Sequence, residues 1–166
     1  MKNKYNKIIW ISILCLVVFF AYMDTKGLTM VNSIGGYPGE TYGKMHLDYM
    51  GLFWTFAYGM TIAVSLMFYM FRKDLSEAVS IFVGTILMLW GGLEDIVYYW
   101  MLGMPGLDQS MIWLYNSPLS FVSRLLGHDT VTPLGLYLQL VLMTFVTYHV
   151  IKWLSKQNKN LGIVKW

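Results

Sequence analysis

Four stretches of the chain are apolar over about the length that crosses a bilayer. They cover residues 8–23, 50–71, 75–102 and 133–154. A helix rises about 1.5 Å per residue, so roughly 20 apolar residues cross about 30 Å of hydrocarbon. The first stretch is short for a span, and the third is longer than a bilayer needs. The pattern predicts an all-α integral membrane protein with four transmembrane helices, in a single domain that covers residues 1–166.

Composition supports a lipid environment. Of the 166 residues, 57% are hydrophobic and 13% are charged, whereas a soluble domain usually has about 25% charged and 45–50% apolar residues. So few charges would leave much of a soluble protein's surface apolar. The predicted surroundings are therefore the lipid bilayer, and the predicted location is the plasma membrane.

The first apolar stretch also resembles a signal peptide in one respect. Lys2, Lys4 and Lys7 precede an apolar run, as positive charges do in secretory signals. Cleavage requires small residues at two positions, and Ala21 with Met23 supplies only one of them. We therefore favour a retained span over a cleaved signal. The single cysteine, Cys15, excludes an intrachain disulfide and is predicted to be a buried apolar residue.

The distribution of charge predicts the orientation. Only residues 72–74 separate the second and third stretches, which predicts a tight antiparallel hairpin and places the long connections 24–49 and 103–132 on one side. Nine of the 12 basic residues fall on the opposite side, with the chain ends: Lys2, Lys4, Lys7, Arg72, Lys73, Lys152, Lys156, Lys159 and Lys165. Cytoplasmic loops carry such an excess. Both termini are therefore predicted to be cytoplasmic and both long loops to lie outside, and the charge pattern indicates no nucleic-acid partner.

The second long loop contains an apolar segment of its own. Residues 111–126 are mostly apolar, but the segment is short and Pro118 interrupts it, so an interfacial or re-entrant helix is predicted rather than a span. Thr132 and Pro133 are typical of a helix start, with threonine as N-cap and proline at the first helical position.

The third stretch contains two acidic residues, Glu94 and Asp95. Ionisable side chains within a span are unfavourable and usually functional. In a straight helix Glu94 would lie about 6 Å below the outer boundary of the hydrocarbon. Glu94 and Asp95 are therefore candidate catalytic or ligand-binding residues. The alternative is a structural cluster in which one carboxyl group is protonated and bonds to Tyr98 or to groups on neighbouring helices, while the other faces a water-filled outer vestibule.

Histidine–aspartate pairs precede two other predicted helices. His46 and Asp48 come before the second span, and His128 and Asp129 come before the fourth. Together with Glu94 they would meet at the outer ends of three helices, and such side chains are ligands of zinc, manganese and iron. The sequence predicts an outer-facing carboxylate–histidine pocket that could hold a divalent metal. The alternative is that the histidines are exposed loop residues and Asp129 is a helix cap.

Three functions agree with this pattern. The first is a metal-dependent or acid–base membrane enzyme, or a ligand-binding protein, that uses the outer pocket. The second is a non-catalytic accessory or assembly subunit that binds partner membrane subunits or forms a homo-oligomer, since the chain is small and carries no complete motif. The third is a small oligomeric transporter, although no second half of the chain mirrors the third span, as in inverted-repeat transporters.

Overall fold

In the computed structural model the described part of the chain is helical and contains no strands. The structure describes residues 2–34, 40–103 and 118–160, and within them the side chains of residues 7–27, 49, 51–103 and 119–157. The helices in these ranges are α1 (Lys2–Ile34), α2 (Glu40–Arg72), α3 (Leu75–Trp90), α4 (Leu93–Met101), α5 (Phe121–Leu125) and α6 (Pro133–Asn160).

Three of the helices contain segments long and apolar enough to cross a membrane. These segments are Lys7–Gly27 in α1, Gly51–Arg72 in α2 and Pro133–Gln157 in α6. The pair α3 and α4 qualifies as a fourth crossing when the two helices are taken together, with a bend of 63° between them. The described residues therefore provide three candidate membrane-spanning helices, or four with the bent pair.

The helices are longer than the apolar stretches predicted. The first span was predicted to end at residue 23, but α1 continues to Ile34, and α2 begins at Glu40 rather than near residue 50. The last helix continues to Asn160 instead of ending near residue 154. Hydropathy marks only the part of a helix that suits hydrocarbon, while backbone hydrogen bonds continue the helix on either side. The predicted loop 24–49 is consequently helical at both of its ends.

The tight hairpin between the second and third stretches is confirmed. Lys73 has a left-handed φ of 54°, which reverses the chain directly after α2. The Asp74 carboxylate accepts a hydrogen bond from the Glu77 N–H at 3.1 Å and so caps the start of α3. Arg72 forms an ion pair with Glu77, with 3.3 Å between Nε and Oε2. These interactions are short-range, and the sequence predicted the turn because only three residues separate the two apolar stretches.

The prediction of one continuous helix over 75–102 is wrong. Gly92 has φ of 78°, a left-handed conformation that glycine adopts without steric penalty, and the helix breaks there. The last turn of α3 tightens, because the Gly92 N–H donates to the Leu89 carbonyl at 3.0 Å. A new helical ladder begins where the Ile96 N–H donates to the Gly92 carbonyl, also at 3.0 Å. The depth of Glu94 that a straight helix implied therefore does not hold.

Helix α3 lies at the centre of the bundle and packs against α1, α2 and α6. Ile13 and Phe20 of α1 share an apolar cluster with Ile81 and Leu89 of α3, and all four are buried. Gly84 permits the close approach of α1, because a Cβ at that position would overlap the side chain of Ile13. Gly84 thus has the role expected of small residues between membrane helices.

A short folded segment covers one end of the bundle. The chain forms a 3-10 turn at Pro118–Ser120 and then α5, which packs against α6. Only residues 118–126 of the predicted interfacial segment fall within the described part of the chain, and residues 111–117 lie outside it. The Thr132 hydroxyl accepts a hydrogen bond from the Gly135 N–H at 3.1 Å, which confirms threonine as the N-cap of α6 and Pro133 as its first residue.

Cys15 lies on an outward face of the bundle, so the prediction of a buried cysteine is wrong. It borders an open apolar groove of about 360 Å³ between α1 and α2 that Ile11, Leu16, Phe19, Met60, Val64 and Phe68 also line. An apolar residue on a membrane helix is suited to lipid as well as to the protein core, so its hydrophobicity does not predict which of the two it faces.

Candidate carboxylate site

The helix break places Glu94 and Asp95 in the first turn of α4. Acidic side chains at this position interact favourably with the positive end of the helix dipole. Neighbouring elements pack closely against the break, because a Cβ on Gly92 would overlap Leu136 of α6 and would come within 3.1 Å of Leu119. Residues far from the two acids in sequence therefore surround the turn that leads into the carboxyl groups.

Gln139 of α6 supports the break with both ends of its amide. Its Nε2 donates to the carbonyl of Trp90, the last residue of α3, at 2.8 Å, and its Oε1 accepts from the Val122 N–H at 3.2 Å. The side chain is fully buried. A break in a buried helix frees backbone carbonyl groups that need donors, and Gln139 supplies a donor for one of them. Its bond to Val122 also connects α5 to the region of the break. The sequence analysis did not identify this residue.

Glu94 is the most unusual acidic residue in the described part of the chain. Its side chain is buried, at 5% exposure. The Oε1 atom is enclosed and has no hydrogen-bond partner among the described residues. A buried carboxylate normally needs donors or a positive charge, because removing it from water is strongly unfavourable. No described donor meets that need at Oε1.

A third acidic residue, Asp24 of α1, belongs to the same region as Glu94 and Asp95. Helix α1 packs against α4, and Glu94 lies within the electrostatic influence of both Asp95 and Asp24. Asp24 is itself buried, at 8% exposure. Three carboxyl groups from two helices thus act on one another, and like charges in a poorly hydrated setting repel strongly. Such an arrangement favours either a retained proton or another positive charge beside the carboxyl groups.

Tyr49 of α2 donates a hydrogen bond to Asp24. The distance from its phenolic oxygen is 2.9 Å to Oδ1 of Asp24 and 3.2 Å to the Asp24 backbone carbonyl. Burial raises the pKa of the Tyr49 phenol above its usual value near 10, and the Asp24 carboxylate raises it further. The phenol therefore remains a protonated donor throughout the physiological pH range.

The approach of Tyr49 to α1 depends on Gly27. A Cβ at position 27 would overlap the phenol ring, so only glycine leaves room for the ring beside Asp24. Tyr49 lies two residues before the apolar segment Gly51–Arg72. The hydrogen bond thus joins α1 and α2 at the end of the bundle that also contains the first turn of α4.

Only some of the predicted site residues are neighbours in the structure. Glu94 and Asp95 lie in one turn, as predicted, but with Asp24 and Tyr49 as neighbours rather than with a described histidine. His128 and Asp129 are exposed in the turn between α5 and α6. His46 and Asp48 belong to α2, and their side chains lie outside the described ones.

Metal binding remains a prediction. Among the described side chains, no three of the histidine, cysteine, aspartate and glutamate residues lie in positions that could hold a metal ion. Two of the five predicted ligands, His46 and Asp48, are outside those side chains, so this finding does not test the complete set. The described carboxyl groups alone do not form a metal centre.

Comparison of the chain with profiles of protein families, with curated protein sequences and with solved structures found no match.

Proposed function

We propose that the chain is an integral membrane protein with four crossings that binds a positively charged ligand at Glu94. The lengths of the apolar segments support insertion. So do the outward faces of α2 and α6, which present large apolar side chains such as Leu52, at 71% exposure, and Val141, at 67%. A contiguous apolar surface of this kind is unfavourable in water and is suited to lipid.

The proposed orientation places both ends of the chain in the cytoplasm. The basic turn at Arg72 and Lys73 lies at the start of α3, and Glu94 follows the far end of that helix. If the basic turn is cytoplasmic, as the positive-inside rule favours, the carboxylate site is on the outer side. A ligand would then reach Glu94 from outside the cell.

The burial of Glu94 with Oε1 unpartnered is the observation that carries the proposal. Asp95 and Asp24 add negative charge to the same region rather than neutralising it. A cation would provide the attractive interaction that Oε1 lacks, and a charge-assisted contact of this type is among the stronger polar interactions in proteins. The ligand class is therefore a cation: either an organic ammonium compound, or a metal ion that also takes ligands from outside the described side chains.

Thermal unfolding of the purified protein in detergent or nanodiscs tests the proposal. The panel contains the chlorides of magnesium, calcium, manganese and zinc, and the ammonium compounds choline, ethanolamine and spermidine. A ligand at about 100 times its Kd stabilises the folded state by about 2.7 kcal/mol, so one member of the panel should raise the midpoint in a saturable way. Glu94→Gln should abolish the rise.

Glu77→Gln is the matched control, because Glu77 is also a buried glutamate of the bundle but pairs with Arg72 at the opposite end. Its ligand-dependent rise should equal that of the wild type, even if its midpoint without ligand is lower. A wild-type protein that responds to no cation, or a Glu94→Gln variant that responds normally, would refute the proposed function.

A second candidate function is assembly with another membrane chain through α2. Gly51, Thr55, Gly59 and Ala63 follow one another at intervals of four on α2, and all are exposed. We call these four residues the small face of α2. Small residues at this interval are typical of contacts between membrane helices.

The two glycines of the small face are not explained by packing among the described residues. A Cβ at Gly51 or Gly59 would meet no atom of those residues within 4 Å. Glycine inside a helix is less favourable than alanine by about 1 kcal/mol, so a contact outside this chain is the physical reason that would justify it. This observation supports an oligomer or an accessory subunit, and it is compatible with a ligand site at the end of the bundle.

A further inference from the structure

The interaction between Tyr49 and Asp24 indicates how α2 takes part in the carboxylate site. Tyr49 reaches Asp24 from another helix, and its hydroxyl donates a hydrogen bond to one carboxylate oxygen, Oδ1. The same hydroxyl lies 3.2 Å from the Asp24 backbone carbonyl. Two contacts from one phenol restrict both the side chain and the local backbone of Asp24.

The surroundings of Tyr49 keep its ring in one position. On one side the ring fills the space that Gly27 leaves open. On the other it packs against Phe53 of the same helix, with 6.3 Å between ring centroids. A donor held on both sides gives up little conformational freedom when it forms a hydrogen bond, so the geometry it imposes on Asp24 is well defined.

We propose that Tyr49 is a positioning residue of the cation site, which holds Asp24 so that its carboxylate faces Glu94 and adds to the attraction of the ligand. This inference rests on the proposed function, because it assigns a role at the same site. Tyr49 does not contact the ligand in this scheme. It acts through Asp24, and it links the position of α2 to the occupancy of the site.

The alternative is that Tyr49 only joins α1 to α2. In that case removal of its hydroxyl would lower stability and leave the affinity for the cation unchanged. A positioning role predicts a change in affinity, because a carboxylate that loses its orienting donor can turn away from Glu94. The two roles therefore differ in the measured Kd and not in the stability of the protein without ligand.

Tyr49→Phe is the informative variant, since phenylalanine retains the ring between Gly27 and Phe53 and removes only the donor. The Kd of the cation identified in the wild-type panel is measured by calorimetry for the wild type, Tyr49→Phe, Asp24→Asn and the double variant. Hydrogen bonds to charged groups are strong enough for Tyr49→Phe to weaken binding by about tenfold. Tyr69→Phe, which removes the hydroxyl of an exposed tyrosine on α2, should leave the Kd unchanged.

The double variant separates positioning from a general loss of structure. If Tyr49 acts through Asp24, Tyr49→Phe has no further effect on the Kd once Asp24→Asn is present. Equal Kd values for Tyr49→Phe and the wild type, or independent additive effects of the two substitutions, would overturn the inference while leaving the proposed function intact. A wild-type protein that binds no cation would instead refute the proposed function, and this inference would fail with it.

Discussion

Gly92 and Gly103 have the same left-handed backbone in different surroundings. Their φ angles are 78° and 74°. A Cβ on Gly92 would overlap Leu136, whereas a Cβ on Gly103 would meet no atom of the described residues within 4 Å. The two positions therefore separate the conformational part of a glycine's role from the packing part.

We expect Gly92→Ala to destabilise the protein more than Gly103→Ala does. Alanine in a left-handed conformation costs about 1–2 kcal/mol, and this term applies to both variants. At Gly92 the displacement of Leu136 adds an overpacking cost of about 1–3 kcal/mol. Chemical unfolding of each variant in the same detergent measures the difference, and an equal loss at the two positions would show that α6 does not hold the helix break.

The acidic residues show what single positions in a sequence can reveal. Glu94 and Asp95 were identifiable, because charged residues are rare within long apolar stretches and stand out wherever they occur. Asp24 lies one residue beyond the predicted first span, so it was treated as a loop residue. Tyr49 gave no local signal, since its contact with Asp24 spans 25 residues and depends on how α1 packs against α2.

At the scale of helices, α2 has two different faces. One is buried against the bundle through Phe53, Ala57 and Thr61. The opposite side of α2 presents the small face, together with large exposed apolar side chains such as Leu52 and Leu66. Lipid tolerates any apolar residue, so lipid contact alone does not favour glycine at positions 51 and 59.

If the small face binds a helix of another chain, Gly59→Leu should disrupt the assembly. Leucine adds bulk where a close helix contact needs none, but the open space around Gly59 means that the fold of the single chain should tolerate it. Native mass spectrometry or cross-linking in the membrane, with a second copy as the first partner to test, measures the assembly state. Val141→Leu, on an exposed position of α6, is the control that should change nothing.

Two results would count against an assembly role for α2. A wild-type protein that is monomeric in its native membrane would show that the small face does not bind a second copy of this chain. If the protein also fails to cross-link to other proteins, the small face would have no protein partner. An unchanged assembly in the Gly59→Leu variant would place any interface elsewhere on the surface.

The elements that local interactions define were predictable, and those that depend on packing were not. The turn at residues 72–74 and the Thr132 cap each involve residues within five positions of one another. The helix break at Gly92 depends in addition on Leu136 and Gln139 of α6, which lie more than 40 residues away. The adjacent glycines Gly91 and Gly92 are nevertheless a pair of the kind at which helices kink, and this local signal could have indicated the break.

At the scale of the whole molecule, the proposed orientation in the membrane would determine which compartment supplies the proposed ligand. The charge difference between the two ends of the bundle predicts that the end with Arg72 and Lys73 is cytoplasmic. Lys156, near the end of α6, would then lie on the same side, and the turn containing Asp129 would lie outside with the carboxylate site. Both positions are exposed and are suited to labelling.

A membrane-impermeant maleimide should therefore label Asp129→Cys in intact cells and should label Lys156→Cys only after the cells are made permeable. Both substitutions are made in a Cys15→Ser background, which removes the single native thiol, and that background alone should remain unlabelled. In this scheme the carboxylate site and position 129 are on the same side of the membrane, because both lie beyond the end of α3 that is opposite the basic turn. Labelling of Lys156→Cys in intact cells with protection of Asp129→Cys would invert the orientation, and Glu94 would then draw its ligand from the cytoplasm.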